Sequence, residues 1–371
     1  MKHMDVFGVG IPHVGYGRMA DSLRTALGKK VTLTSDADTI LFCIPSDMVK
    51  GWYRGQRRGL LSMWETTVIP TRFTRLFQLF DTLLVPCDWN AELFSRYHHD
   101  VKVAPLGVDT ELWQPQDVVV NDRFRFITGG SGWNRKGIGL VIEAFRKANL
   151  PDSELVIKVI PELLDDPGTC NFGPNITVIK QRLTSVEERN LYASADCFVS
   201  GSRGEGFGLI PLQNLALGNR VIAPAHTGHL MFSDLFDYPV GWHHTKAAIQ
   251  HFTEIGDWFE PNMDEMVDSM RDAYQKGRLS PWERCNRWEQ VEERFTWDRA
   301  ADAVLRAFPG GSTLTEKRWE DAGLKKAKVR TLRKVVADVG VYSFRFPANT
   351  VVDVPISTVA HLIEVGAVTE L

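Results

Sequence analysis

Three times along this chain an apolar run of strand length ends in a glycine-rich loop that opens a helix, and this repeat constrains the fold more than any other feature. The first is Asp5-Val6-Phe7-Gly8-Val9, followed by a loop from Gly10 to Gly17 and a helix with Met19, Leu23 and Leu27 at helical spacing. The second is Phe124-Arg125-Phe126-Ile127, with Gly129-Gly130-Ser131-Gly132-Trp133-Asn134-Arg135-Lys136-Gly137 ahead of a helix that carries Leu140, Val141, Ala144 and Phe145 on one face. In the third, Cys197-Phe198-Val199 leads through Ser200-Gly201-Ser202-Arg203-Gly204-Glu205-Gly206-Phe207-Gly208 into a short apolar helix, with Pro211 near its first turn and Gly218 just past its end. Further strand-like runs (residues 39–44, 60–64, 82–85, 155–160, 176–179 and 221–223) alternate with helical stretches, which predicts parallel sheets covered on both faces.

A chain of 371 residues, 44% hydrophobic and 24% charged, suits two such domains and an appendage. The expected boundaries are residues 1–116 for the first domain and 117–284 for the second, then helices over 285–308 that pack back across them. Pro309-Gly310-Gly311-Ser312 then opens a small basic α+β module over 309–371, with alternating apolar residues from Val335 to Val354 and a short helix from Ile356 to Ile363. The net charge of −3 gives no global attraction for polyanions. Five scattered cysteines without CxxC spacing read as reduced thiols, and with no apolar signal core or bilayer-length run the expected location is cytoplasmic, without membrane insertion.

A strand, glycine loop and helix start aim backbone N–H groups and the positive end of a helix dipole at one spot, a cradle for phosphate. Arg135 and Lys136 add two cations at the second junction. Glu205 gains nothing from an anion, so it suits hydroxyl groups attached to that phosphate, as on a sugar. At the first junction Gly15-Tyr16-Gly17-Arg18-Met19-Ala20 fits the GxGxxA pattern of NAD-dependent oxidoreductases, with Asp36 where a ribose-binding acid would fall. Its first glycine lies five residues beyond Gly10 rather than at the strand end, which sets that alternative aside. Residues 50–58 carry Lys50, Arg54, Arg57 and Arg58 with Trp52 and Tyr53 among them, a pattern that serves either as a solvated face or as a surface for DNA.

These motifs resemble the retaining GT-B glycosyltransferases of family four. The likeness rests on Ser202-Arg203-Gly204-Glu205-Gly206-Phe207-Gly208-Leu209, Arg135-Lys136-Gly137, the strand Ser194-Ala195-Asp196-Cys197-Phe198-Val199 and a connector, Pro105-Leu106-Gly107-Val108-Asp109, and it spans residues 5–305. It implies two Rossmann-like domains facing a cleft, and transfer of a sugar from a nucleotide sugar such as a UDP-sugar to an acceptor hydroxyl. Glu205 would hold sugar hydroxyls, the N–H groups around Gly206, Phe207, Gly208 and Leu209 the diphosphate, and Arg135 and Lys136 the charge of the leaving group. Gly15, Gly17 and Arg182 complete the implied donor contacts, while base and sugar selectivity depend on positions around residues 181–183 and 227–229 that no motif fixes. With charge handled this way no metal or other cofactor is expected, and Asp36-Ala37-Asp38 reads as a cap or turn rather than a metal-binding DxD.

The chain departs from the family at two donor positions, with Gln213 for a glutamate and Gly130 for an arginine, which leaves open a non-catalytic sugar-nucleotide-binding protein. In the first domain Met63-Trp64-Glu65-Thr66-Thr67 replaces the family's histidine. Glu65 is then a candidate to position the acceptor hydroxyl or take its proton, beside acceptor-binding His13, Trp52, Arg54, Arg57, Arg58 and Trp64. The tail from Lys328 to Val368 looks like a small module of bacteriophage proteins, which implies a hydroxymethylated DNA base or a virion protein as acceptor.

Overall fold

The computed structural model describes residues 3–8, 15–33, 38–42, 57–116, 122–160, 172–247 and 256–308, together with the backbone of five strands between 326 and 370. The chain divides into two compact units, one of Met1–Trp64, Ile69–Leu106 and Trp297–Leu371, the other of Glu65–Val68 and Gly107–Thr296. The first unit therefore gives up residues 65–68 to the second and regains the chain at Trp297.

In the first unit, β1 (His3–Gly8), α1 (Tyr16–Gly28), β2 (Thr32–Leu33), β3 (Asp38–Phe42), β4 (Arg58–Leu61), α2 (Thr71–Thr74), β5 (Thr82–Val85), α3 (Asp88–Ser95) and β6 (Val101–Val103) follow in order. All six strands are parallel, in the order β2-β1-β3-β4-β5-β6. β4 and β5 are buried along their whole length, as a parallel sheet covered on both faces requires. Met19, Leu23, Ala26 and Leu27 form the buried stripe of α1. Helix Trp297–Ala307 packs on α1 through a small-residue face that includes Ala300, Ala301, Ala303 and Val304. Lys30 reaches Asp302 at 2.9 Å across that contact.

The second unit contains β7 (Phe124–Gly130), α4 (Ile138–Ala148), β8 (Ser153–Val159), β9 (Ile176–Ile179), α5 (Ser185–Ala193), β10 (Cys197–Val199), α6 (Leu209–Ala216), β11 (Arg220–Pro224) and β12 (Tyr238–Val240). These strands are again parallel, in the order β12-β11-β10-β7-β8-β9, the doubly wound arrangement of a dinucleotide-binding sheet. An antiparallel pair, β13 (Trp242–Lys246) with β14 (Asp257–Pro261), and helices α7 (Met263–Lys276) and α8 (Pro281–Arg294) complete it. Its core joins Phe126 and Ile157 of the sheet to Val141 of α4 and to Met266 and Met270 of α7. Residues 65–68 dock on this unit through Thr67, whose N–H donates to Asp257 O at 3.2 Å and whose hydroxyl accepts from Asp257 N–H at 2.8 Å.

Near the C-terminus, strands Lys326–Thr331, Val351–Pro355 and Val368–Glu370 form one antiparallel sheet, and Val335–Val339 pairs with Tyr342–Phe346 in another. The helix expected over residues 356–363 lies outside the described residues.

The strand expected over residues 60–64 instead begins at Arg58 and ends at Leu61, so Met63 and Trp64 follow the strand end as buried side chains. The short strands β2, β6 and β12 have too few residues for a legible alternation, and they form because a longer neighbour supplies the hydrogen-bonding edge.

Gly137 sits in the left-handed region at φ 59°, and a Cβ there would lie 1.8 Å from Gly201 O, so only glycine lets the loop after β7 touch the loop after β10. Gly137→Ala should cost the protein about 3 kcal/mol or more in urea unfolding. Gly139→Ala, where the nearest atom is 3.8 Å away at the start of α4, should be neutral or stabilising by roughly 0.5 kcal/mol.

Candidate active site

β7 and β10 are hydrogen-bonded neighbours, with Cys197 opposite Phe126 and Phe198 opposite Ile127. From β7 the chain runs on to β8 at one side and from β10 to β11 at the other, so this pair is the point where the strand order reverses. Ligands of open α/β sheets bind outside the carboxyl ends of the strands at such a point. The two loops that leave these ends are residues 131–137 and 200–208, which hold Arg135, Lys136 and Glu205.

The loops are tied together by backbone as well as side chain. Arg203 N–H donates to Arg135 O at 2.7 Å, Arg135 Nη1 donates to Gly204 O at 2.7 Å, and an Arg203 guanidinium N–H reaches Asn134 O. The Nε of Arg203 also donates to Glu260 Oε2 of β14 at 2.7 Å, which anchors the frame from behind. Within it the Lys136 ammonium lies 2.5 Å from Glu205 Oε1, and Arg135 Nη1 lies 3.7 Å from Glu205 Oε2. Burial alone would raise the Glu205 pKa, but Lys136 and then Arg135 outweigh it and hold the carboxyl well below the usual carboxylate range. Burial pulls the Lys136 amine down, against the opposing attraction of Glu205.

Gly130 has φ 139°, and a Cβ there would lie 2.9 Å from Lys136 Cε. The stem of Lys136 therefore occupies the space over this glycine. Gly208, at φ 105°, is the N-cap of α6, whose first N–H groups have no acceptor within the helix. Phe207 buries its ring against Phe232 and Phe295, Leu209 begins α6, and Gln213 is half-buried one turn on.

Glu65 belongs to the second unit, and its backbone carbonyl sits against Gly204, where a Cβ would be 2.1 Å from Glu65 O. Its carboxyl has a raised pKa because burial disfavours the charge. Arg135 pulls the other way, and Glu205 adds to the rise. Four charged side chains, Arg135, Lys136, Glu205 and Glu65, thus share one electrostatic neighbourhood.

A hydrogen-bonded chain not read from the sequence supports Glu205. The N–H of Glu205 donates to Thr227 Oγ1 at 3.1 Å, the hydroxyl lies 3.0 Å from His226 Nδ1, and His226 Nε2 lies 3.0 Å from Ser202 O. Since a carbonyl only accepts, Nε2 carries the ring proton and Nδ1 accepts from Thr227. Thr227, named in the sequence only as a selectivity position, and His226 follow β11 with no motif of their own, and the pairing of β11 with β10 brings them beside Glu205.

The other expected residues lie on other elements. Arg57 and Arg58 are buried: Arg57 donates to Thr82 Oγ1 at 3.2 Å and stacks over the Phe308 ring at 4.0 Å, while the Arg58 N–H bonds Asp81. They are part of the first unit's interior rather than an exposed basic surface, because Arg58 opens β4 and Arg57 immediately precedes it. Trp64 is likewise buried, its N–H on Asn90 Oδ1 at 2.8 Å and its ring 6.2 Å from Phe73. Gly15 and Gly17 open α1 in the first unit, and Arg182 is exposed ahead of α5. His13, Trp52, Arg54 and Asp36 lie outside the described residues. Among the described residues no group of three or more His, Cys, Asp or Glu could hold a metal ion, and no helix is long and apolar enough to cross a membrane.

Burial pushes the His226 pKa down to about 3, with neighbouring His229 adding to the fall. Unfolding lets this ring take a proton at its ordinary pKa near 6.5, so acid favours the unfolded chain between pH 6.5 and about 3. Stability should therefore fall by up to about 1.4 kcal/mol per pH unit for this histidine across that window. Thermal melts of His226→Gln from pH 7 to pH 4 should show a shallower decline than the parent.

No protein-family model matches the chain. It is 28% identical over 159 residues to "Putative glycosyltransferase ORF313" of Acidianus filamentous virus 1, covering 40% of this chain and 46% of that protein. It is 26% identical over 141 residues to "Putative glycosyltransferase 41" of a Sulfolobus islandicus filamentous virus, 38% of each. The chain thus spans less than half the length of these curated relatives. Among solved structures, sucrose-phosphate synthase of Thermosynechococcus elongatus superposes with a TM-score of 0.57 at 13% identity, over 83% of this chain and 98% of that one. HepE of Anabaena, in complex with UDP and glucose, gives 0.58 at 12% identity over 83% and 99%. The glycosyltransferase WaaG, involved in lipopolysaccharide biosynthesis, gives 0.52 at 13% over 83% and 100%. The chain therefore has the GT-B fold with two Rossmann-like units, and over part of its length it is similar in sequence to these two filamentous-virus proteins.

Proposed function

We propose that this protein is a retaining glycosyltransferase that moves a sugar from a nucleotide sugar, such as a UDP-sugar, to an acceptor hydroxyl. The observation that carries the reading is the convergence of Arg135, Lys136 and Glu205 at the switch point of the second sheet, beside the open N-terminus of α6. HepE, a structural neighbour, has been seen with UDP-glucose, which supports UDP as the nucleotide to test first.

In this reading the diphosphate sits against the N–H groups at the start of α6. Lys136 exchanges Glu205 for a phosphate oxygen, and with Arg135 it stabilises the negative charge that grows as the bond between anomeric carbon and phosphate oxygen breaks. Each well-placed donor of this kind is worth about 3–4 kcal/mol in the transition state. Glu205, released from Lys136, accepts hydrogen bonds from sugar hydroxyls. The acceptor attacks from the face that the phosphate leaves, so the configuration is retained without an enzyme nucleophile and without a metal ion. Glu65 positions the acceptor hydroxyl or takes its proton. For the acceptor, a hydroxymethylated base in viral DNA and a virion protein are the two readings. The burial of Arg57 and Arg58 favours the second, because it removes two of the four cations that pointed to DNA.

Purified protein given UDP-glucose, with hydroxymethylated duplex DNA or virion protein as acceptor, should release UDP. Release should survive in Gln213→Ala and fall at least a hundredfold in Glu205→Ala. No release by the parent protein with any nucleotide sugar or acceptor would leave a non-catalytic sugar-nucleotide-binding protein.

If Glu65 takes the proton, activity should rise with pH through a pKa above the ordinary carboxylate value, since burial raises it. Glu65→Gln should lower kcat and flatten that acid limb.

A further inference from the structure

Resting on the donor-site reading above, we propose that His229 is a sugar-recognition residue: its Nε2 accepts the hydrogen of a sugar-ring hydroxyl beside Gly208. His229 is completely buried. Its Nδ1 lies 2.9 Å from Pro224 O, and because a carbonyl only accepts, the proton of the neutral ring is on Nδ1. Nε2 is then a bare acceptor, and it has no hydrogen-bond partner among the described residues. A buried polar atom left in this way is costly unless something fills its valence.

The direction of the ring identifies what that is. A Cβ on Gly208 would lie 2.5 Å from His229 Cδ2 and 2.9 Å from Nε2, so this edge of the imidazole lies against the N-cap of α6. Phe232 and Phe236 close other sides at ring distances of 6.1 and 5.6 Å, and His226 stacks at 6.0 Å. The charged groups that face the ring are Glu205 and Lys136. A ligand group that satisfies this corner must donate to Nε2. A hydroxyl does so. A phosphate oxygen accepts only and would meet the Nε2 lone pair. Burial lowers the pKa of the ring and keeps it neutral, so it remains an acceptor.

The test is calorimetric binding of UDP, UDP-glucose and its 2-, 3-, 4- and 6-deoxy forms. One deoxy donor should bind the parent protein roughly tenfold more weakly than UDP-glucose. His229→Phe, which keeps the ring volume, should weaken UDP-glucose about tenfold, leave UDP unchanged and no longer discriminate against that deoxy donor. His229→Gln, which restores an acceptor, should recover part of the loss. Unchanged UDP affinity in His229→Phe also reports that the site is folded. The proposal is overturned if UDP and UDP-glucose weaken equally, if His229→Phe keeps the deoxy discrimination, or if the parent protein never had any. Parent protein that binds neither UDP nor UDP-glucose overturns instead the UDP-sugar reading on which this inference stands.

Discussion

The pairing of β7 with β10 is the constraint on which the candidate site depends. Only two residue pairs define its register, Cys197 with Phe126 and Phe198 with Ile127, yet it places the loop of Arg135 and Lys136 beside the loop of Glu205. The contact at Gly137 and Gly201 is so close that each glycine would put a Cβ into the backbone of the other. Arg203 then fastens the two loops to each other and to Glu260 on β14. A change in that register would break the backbone ties and separate the cations from the carboxylate.

The charges brought together there are balanced but strained by burial. Lys136 and Glu205 lose solvent that their attraction must offset, and removing one partner of such a pair leaves the other uncompensated at a cost of about 3–5 kcal/mol. In the proposed function a diphosphate and a sugar hydroxyl would replace each half of this pair. The hydrogen bonds from Glu205 through Thr227 and His226 to Ser202 tie the carboxylate loop back onto its own unit.

The first unit shows how a charge-rich stretch misleads when read without its sheet. Arg57 and Arg58 resemble a solvated or polyanion-binding face in sequence, because nothing local shows where a strand starts. Register with β3 and β5 makes Arg58 the first residue of β4, and Phe308, some 250 positions later, supplies the ring that covers the Arg57 guanidinium. Trp64 is drawn inward for the same reason, while Glu65, the next residue, folds with the second unit.

The sequence alone determined the alternation of strands, glycine loops and helices, since apolar spacing and glycine placement are local properties. It thereby determined the two α/β units and singled out Arg135, Lys136, Glu205 and the start of α6 as the candidate site. What only the tertiary structure decided was adjacency. Residues 135 and 205 meet because β7 and β10 are neighbours in a sheet whose order follows no chain order. His226, Thr227 and His229 join them because β11 pairs with β10, and Glu65 does so because Thr67 bonds Asp257, a residue 190 positions away. Such pairings depend on which edges and faces are left to bury when the chain collapses, and no short window of sequence contains that information.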